Sequence, residues 1–222
     1  MKKVFILGAS QGIGFGLVKR FLHAGYEVVA SSRNGLIEGF SDPHLLVVPL
    51  DVTDERSVAD LVVYFHKEEH KFDVLINNAG IGPDLNTKVP DHKTFKATMG
   101  VNLEGIVFAT EQLLPFLSPF GKIINISSKM GSIENCHRSG AIAYRISKAG
   151  LNMYSKILSN RLPAEQKVAV IHPGFVRTNI SSENDHAPLS PLEAAERIYD
   201  FIERDFETGT YWDCQEDEAI AW

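Results

Sequence analysis

Cysteine is almost missing from this chain: its 222 residues include only Cys136 and Cys214. Two thiols so far apart imply no disulfide framework, and a reducing, cytoplasmic setting is the expectation. Long apolar runs are missing as well. The first one, after Lys2-Lys3, covers only 4–7 and stops at Gly8. That is too short for a signal-peptide core or a membrane span, so no membrane partner is expected. There is no excess of positive charge. The formal net charge is −6, and without a basic patch no nucleic-acid partner is expected. Repeats, low-complexity tracts and linkers are also absent, which leaves one domain over 1–222. An apolar content of 44% with 23% charged residues is ordinary for a globular chain able to bury a substantial core.

Short runs rich in Val, Ile and Leu, at 4–7, 28–31, 46–49, 74–77, 122–126 and 168–171, lack polar alternation. Strands buried on both faces read this way. Helical stretches are predicted between them, at about 13–24, 55–69, 94–117 and 142–161. A last helix is predicted from Ser190-Pro191-Leu192-Glu193, which places a capping serine, proline at the first helical position and glutamate at the third. Strand–helix alternation predicts an α/β fold, a doubly wound parallel sheet of about seven strands with helices on both faces. The segment 179–189 is polar and unpatterned and is expected to be a loop at the carboxyl edge, where ligands of such sheets bind.

Gly8-Ala9-Ser10-Gln11-Gly12-Ile13-Gly14 follows the first run directly and opens the first helix. Glycines let the backbone turn tightly and approach a pyrophosphate, while a helix N-terminus offers free N–H groups. The spacing on its own also fits a structural turn. Its strand–turn–helix context points to a nucleotide. The second run ends Ser31-Ser32-Arg33, with no acid to hold ribose hydroxyls. Arg33 suits a 2′-phosphate, so NADP(H) is the expected cofactor.

Tyr144 and Lys148 stand four apart, on one helix face. An ammonium near a phenol favours the phenolate, so Tyr144 is expected to pass a proton to or from a substrate oxygen. Ser128, just after the fifth run, is expected to hydrogen-bond that oxygen; Ser127 is its rival. The same spacing also fits a packed tyrosine beside a solvated lysine.

Further motifs appear in order along the whole chain: Asp51-Val52-Thr53, Asn77-Asn78-Ala79-Gly80, Val101-Asn102, Ile126-Ser127-Ser128, Tyr144-Arg145-Ile146-Ser147-Lys148 and Pro173-Gly174-Phe175-Val176-Arg177-Thr178. With these the chain resembles the short-chain dehydrogenase/reductase family. Within it, the Tyr-Arg-x-Ser-Lys wording, the compact length and Trp222 look most like the branch of the C-signal protein and sniffer-type carbonyl reductases. The resemblance implies a single-domain Rossmann fold and a catalytic set of Asn102, Ser128, Tyr144 and Lys148, with Asn102 holding a water that relays protons to the lysine. It implies cofactor contacts from Gly8, Ser10, Gln11, Gly12, Ile13 and Gly14, from Arg33, and from Asp51 and Val52 at the adenine. It assigns Asn78, Ala79 and Gly80 to the adenine ribose, and Tyr144 and Lys148 to the nicotinamide ribose. Pro173, Gly174, Val176 and Thr178 are assigned to the nicotinamide side. It also implies a homodimer or homotetramer paired through the helices near 94–117 and 142–161. One departure is Leu7, where the family usually has a threonine that supplies a turn hydrogen bond.

The function implied is an NADP(H)-dependent oxidoreductase acting on a small carbonyl or alcohol, with loops 129–143 and 179–189 as substrate walls. The alternative is an NADP-binding signalling protein with little or no turnover. His66-Lys67-Glu68-Glu69-His70 matches a zinc-binding pattern but lies on a predicted crossover helix without a third ligand. A solvated face is expected there and no metal. His172 is read as a structural histidine.

Overall fold

The six apolar runs form adjacent parallel strands in the computed structural model, which describes residues 1–222. They are β1 (Lys3–Leu7), β2 (Glu27–Ser32), β3 (Leu45–Pro49), β4 (Phe72–Asn77), β5 (Leu117–Ile126) and β6 (Lys167–His172). Two more strands, β7 (Thr210–Asp213) and β8 (Glu218–Ala219), extend the sheet to the order β3-β2-β1-β4-β5-β6-β7-β8. Only β8 runs antiparallel to its neighbour. It is the eighth strand where about seven are predicted, a two-residue turn-back too short to leave a pattern.

Successive side chains on a strand point to opposite faces, and here both faces are covered. Val4 and Ile6 enter one core with Leu17 and Phe21 of α1 (Gly12–His23) and Ile198 and Phe201 of α6 (Pro191–Glu203). Phe5 and Leu7 enter the other, with Leu61 and Phe65 of α2 (Glu55–Lys67), Leu113 of α4 (Ile106–Leu113) and Leu158 of α5 (Ile142–Arg161). This explains the uniform apolarity of the runs. Ser190 caps α6 through the full reciprocal box with Glu193, as its sequence predicts.

The helix predicted over about 94–117 is interrupted. α3 (His92–Met99) passes into a π-helical segment, Gly100–Gly105, before α4, and a 3₁₀ turn, Leu114–Phe116, leads straight into β5. Leu117, assigned to helix by periodicity, opens that strand. Gly105 explains part of the irregularity. A Cβ there would lie 2.6 Å from the Val52 carbonyl oxygen, so the helix packs hard against the loop after β3. π segments inside helices often occur at functional sites, and this one carries Asn102.

After β1 the chain moves to β2 and β3, then returns to β4 on the other side of β1. Ligands of open α/β sheets bind at the carboxyl edge of such a reversal. The glycine loop after β1 and Asn78-Ala79-Gly80 after β4 meet there.

Candidate active site

The glycine loop is held from three sides. Gly8 N–H donates to Ser31 Oγ at 3.2 Å and Ala9 N–H to the Ser31 carbonyl at 2.8 Å. With Leu7 in place of a threonine, these two bonds to Ser31 tie the loop to β2. Asn78 Nδ2 donates to the Gly8 carbonyl at 2.7 Å, and a Cβ on Gly8 would sit 2.7 Å from Ala79 Cα. Gly8 and Gly12 have φ of 75° and 56°, the left-handed region that glycine adopts freely. Ser10 and Gln11 are exposed at the turn, and Ile13 anchors it by packing on both neighbouring cores. Gln11 is the N-cap of α1, yet its side chain makes no capping bond and the first turn holds no acid. The N–H groups at that end are thus available to an anion. Thr178 closes over the loop: its Cγ2 lies 3.4 Å from where a Gly12 Cβ would be.

Further along the edge, Ser32 Oγ is engaged with Asn34 Oδ1 and the Leu36 backbone, which leaves Arg33 exposed at the turn. Asp51 accepts from Thr53 N–H at 2.9 Å and Thr53 Oγ1 at 2.7 Å. Those bonds, with the nearby Arg33 charge, hold its carboxyl below the usual range. Val52 lies against Gly105.

Deeper in the cleft the structure brings Gly80, Asn102 and Lys148 together. A Cβ on Gly80 would be 3.5 Å from both Asn102 Oδ1 and Lys148 Nζ. Asn102 is fully buried. Its Oδ1 accepts from Ile81 N–H at 2.8 Å, and its Nδ2 donates to the Ile81 carbonyl at 2.8 Å and Ser147 Oγ at 3.1 Å. It therefore bonds across to another loop and another helix, more than to its own turn. Lys148 Nζ donates to the Ile126 carbonyl at 2.9 Å and lies 5.7 Å from the Tyr144 ring centroid.

Ser128 sits two residues beyond the end of β5. It caps the short 3₁₀ turn Lys129–Gly131 and accepts from Met130 N–H at 3.2 Å. Its hydroxyl neighbours the Tyr144 phenol. Ser127 faces elsewhere: its Oγ donates to Asn152 Oδ1 at 2.7 Å. Of the two serines, Ser128 is the one beside the tyrosine.

The proton balance differs from the sequence expectation. Burial pushes the Tyr144 phenol up to about 12, and the Asp84 charge adds to this; only the nearby Ser128 hydroxyl acts against it. Burial also brings Lys148 down to about 8. The lysine bonds to the Ile126 carbonyl and not to the phenol, and desolvation of the phenolate dominates. Tyr144 is thus held protonated.

On the far side, Pro173 is buried and Gly174 has φ of 93° beside Leu189 and Gln215. Val176 turns its side chain into a small core with Leu189 and Ala194 and its carbonyl to Asn184 Nδ2, 2.8 Å away. The 179–189 loop is partly ordered into a 3₁₀ helix, Ser182–His186, and Arg177 Nη1 donates to the Ala187 carbonyl at 2.7 Å. His172 is not in the proton path. Burial lowers it to about 4, and its Nδ1 has no partner. The unfolded chain takes up that proton near the ordinary value of 6.5, so the stabilising share of neutral His172 is full above about 6.5 and lost as pH falls toward 4. Urea melts at about pH 7 and about pH 5 are expected to show a loss of about 1–2 kcal/mol, reduced in His172→Gln; equal losses in both proteins would contradict this.

His66 and His70, the metal-like pair, lie against aromatic rings. The His66 ring centroid is 4.7 Å from that of Phe116, and His70 is 5.0 Å from Phe65. Both His70 nitrogens are buried without partners, so that residue packs inward where a solvated face is predicted. No helix is long and apolar enough to cross a membrane.

Several buried polar groups around the site were not anticipated from the sequence. Tyr211 of β7 donates its hydroxyl to the Ser128 carbonyl. Asn77 Nδ2 donates to Asn125 Oδ1 at 2.6 Å, and Asn125 Nδ2 to Ser155 Oγ at 2.7 Å, a buried ladder from β4 to α5. Asp84, fully buried, accepts from the backbone of Ala143 and Tyr144. Apart from Asn77, which opens the Asn77-Asn78-Ala79-Gly80 motif, none has a local sequence signal, because each acts on a residue distant in the chain.

A family model described as short chain dehydrogenase matches residues 2–188. The oxidoreductase BOA17 of Botryotinia fuckeliana is 30% identical over 192 residues, covering 83% of this chain and 69% of that protein. Among solved structures, the carbonyl reductase Sniffer of D. melanogaster superposes with a TM-score of 0.87 at 26% identity, covering 100% of both chains. The NADPH-bound carbonyl reductase from chicken fatty liver gives 0.88 at 26% identity, covering 100% of this chain and 94% of the other.

Proposed function

The chain belongs to the short-chain dehydrogenase family, and from that premise we propose that it is an NADPH-dependent reductase of small carbonyl compounds with Tyr144 as the general acid. The observation that carries this reading is the meeting of Ser128, Tyr144 and Lys148 beside an uncapped, glycine-lined helix N-terminus. Two relatives of similar structure are carbonyl reductases, one of them with NADPH bound.

The residues fit a dinucleotide phosphate. The free N–H groups of Gly12, Ile13 and Gly14 suit the pyrophosphate, with Ser10, Gln11 and Thr178 around it. Arg33 suits the 2′-phosphate, and Asp51 and Val52 the adenine. Asn78, Ala79 and Gly80 flank the riboses, while Pro173, Gly174 and Val176 line the nicotinamide side. When bound, NADPH supplies the hydride that the carbonyl carbon accepts. Ser128 donates a hydrogen bond to the carbonyl oxygen and Tyr144 holds the proton that this oxygen takes. A phenol kept protonated by burial is suited to this reductive direction. Lys148 has donors left beyond its bond to Ile126, and these suit ribose hydroxyls. Asn102 fixes the Gly80–Ile81 turn that the lysine faces. Loops 129–143 and 179–189 border the substrate space. Phe108, Ile146, Met153 and Ile157 are exposed on α4 and α5, which supports pairing of copies through these helices.

A panel of quinones, aldehydes and diketones with NADPH tests the reading: oxidation of NADPH by at least one class is expected. Binding of NADPH with no oxidation across the panel would favour a regulatory NADP-binding protein. Arg33→Glu is expected to weaken NADPH binding about ten- to hundredfold, the loss of a charged hydrogen-bonding partner, with NADH little changed. An unaltered NADPH-to-NADH ratio in fluorescence titrations would remove Arg33 from the site.

A further inference from the structure

The helix that carries Tyr144 and Lys148 has no cap of its own. Its N-cap residue is Ala141, held at φ 56°, with no side-chain bond to the first turn. Left-handed backbone at a residue with a Cβ is strained, and a helix start normally needs Ser, Thr, Asp or Asn. The missing acceptor comes from the loop after β4. Asp84 Oδ2 accepts from Ala143 N–H at 2.8 Å, and both its oxygens accept from Tyr144 N–H, at 3.2 and 3.3 Å. The residue is fully buried and joins none of the chain's ion pairs. Its charge is met by the N–H groups and positive end of α5.

The same loop is bonded to three other parts of the cleft. Ile81 is bound on both sides by Asn102. Thr87 donates its N–H to the Asp84 carbonyl, and its own carbonyl accepts from Ala141 N–H at 2.8 Å. Asn86 exchanges hydrogen bonds with Ser181 and Ser182 of the opposite loop. Asp84 lies at the centre of this junction, and one of its bonds ends on the backbone of the tyrosine itself.

We propose that Asp84 is a positioning residue for the reaction, a cap supplied from the β4 loop that fixes the first turn of α5 and so sets the Tyr144 phenol against Ser128. This rests on the reductase reading above. The negative charge of Asp84 also favours the protonated phenol, after burial. The other groups facing Tyr144 are Lys148 on its own helix, Ser128 after β5 and Tyr211 on β7.

The test compares Asp84→Asn and Asp84→Ala with the parent, using the full chain. Asparagine keeps the shape and one acceptor but loses the charge. Turnover is expected to fall about ten- to hundredfold, as for a displacement of a reacting group by about an ångström, with NADPH affinity near that of the parent. The alkaline limit of reductive turnover is expected to move to lower pH in Asp84→Asn. Hydrogen exchange at the Ala143 and Tyr144 amides is expected to accelerate in both variants. Parent-like turnover with an unmoved pH limit would overturn the proposal. So would loss of NADPH binding in step with turnover, or melting of both variants below the assay temperature, since the carboxylate would then serve the fold alone. A parent without turnover would defeat the reductase reading, whereas amide exchange at 143 and 144 tests the cap independently of activity.

Discussion

Tyr144→Phe is expected to lower turnover about 10²–10⁴-fold, the usual contribution of a positioned acid, while NADPH binds as tightly as in the parent. The change removes one oxygen from a ring that is 7% exposed and leaves its packing in place. Little else about the site should alter. Lys148 is tied to the Ile126 carbonyl at 2.9 Å and does not depend on the phenol for its place. Ser128 keeps its bonds to Met130 N–H and to the Tyr211 hydroxyl. Turnover in single-cycle kinetics, alongside an NADPH fluorescence titration, separates the loss of a proton from the loss of a binding site. Retained turnover would remove Tyr144 as the acid and turn attention to the neighbouring Ser128 hydroxyl.

Gly14→Ala is expected to be the most damaging single methyl in the cofactor half. The added Cβ would fall 2.2 Å from the Gly8 carbonyl oxygen, 2.6 Å from Asn78 Nδ2 and 2.9 Å from Ala9 Cα. Two of these neighbours are backbone, and the third is the side chain that holds the Gly8 carbonyl. None can yield without opening the loop or pushing β1 from β4. Overpacking of this kind costs about 1–3 kcal/mol. Expressed in affinity, that is roughly a five- to hundredfold weaker NADPH complex, together with a lower melting temperature. Gly25 is a suitable control, because a Cβ there would meet nothing within 4 Å, although its φ of 80° still strains a side chain. A Gly14→Ala protein with parent-like NADPH affinity would mean that the glycine loop does not approach the cofactor.

The sheet was legible because its strands are buried twice. Val4 and Ile6 face one core and Phe5 and Leu7 the other, so the runs carry no polar interruptions and stand out from the amphipathic helices. α6 was legible because its cap is local, Ser190 with Glu193 three residues later. α5 shows the opposite case. Its extent follows from pattern, but its cap comes from Asp84, 59 residues before Ala143, and no local motif announces it. The π segment at Gly100–Gly105 escaped for a related reason: Gly105 must pass the Val52 carbonyl, a contact between distant parts of the chain.

The site divides along the same line. Motif order points to Ser128, Tyr144 and Lys148, and the structure gathers them in one cleft. The sign of the tyrosine's shift was not legible. Four-residue spacing suggests an ammonium lowering the phenol, whereas burial dominates and the lysine turns to a carbonyl. Desolvation depends on the whole fold and is not encoded by spacing.

Deuterium tracing tests the central claim most directly. The protein is incubated with NADPH deuterated at the transferable C4 position and with the carbonyl panel, and the products are analysed by mass spectrometry. The account predicts an alcohol bearing the deuterium on its carbinol carbon, formed by the parent and suppressed in Tyr144→Phe. NADPH bound by the protein, with no deuterium in any alcohol from any carbonyl class, would contradict it.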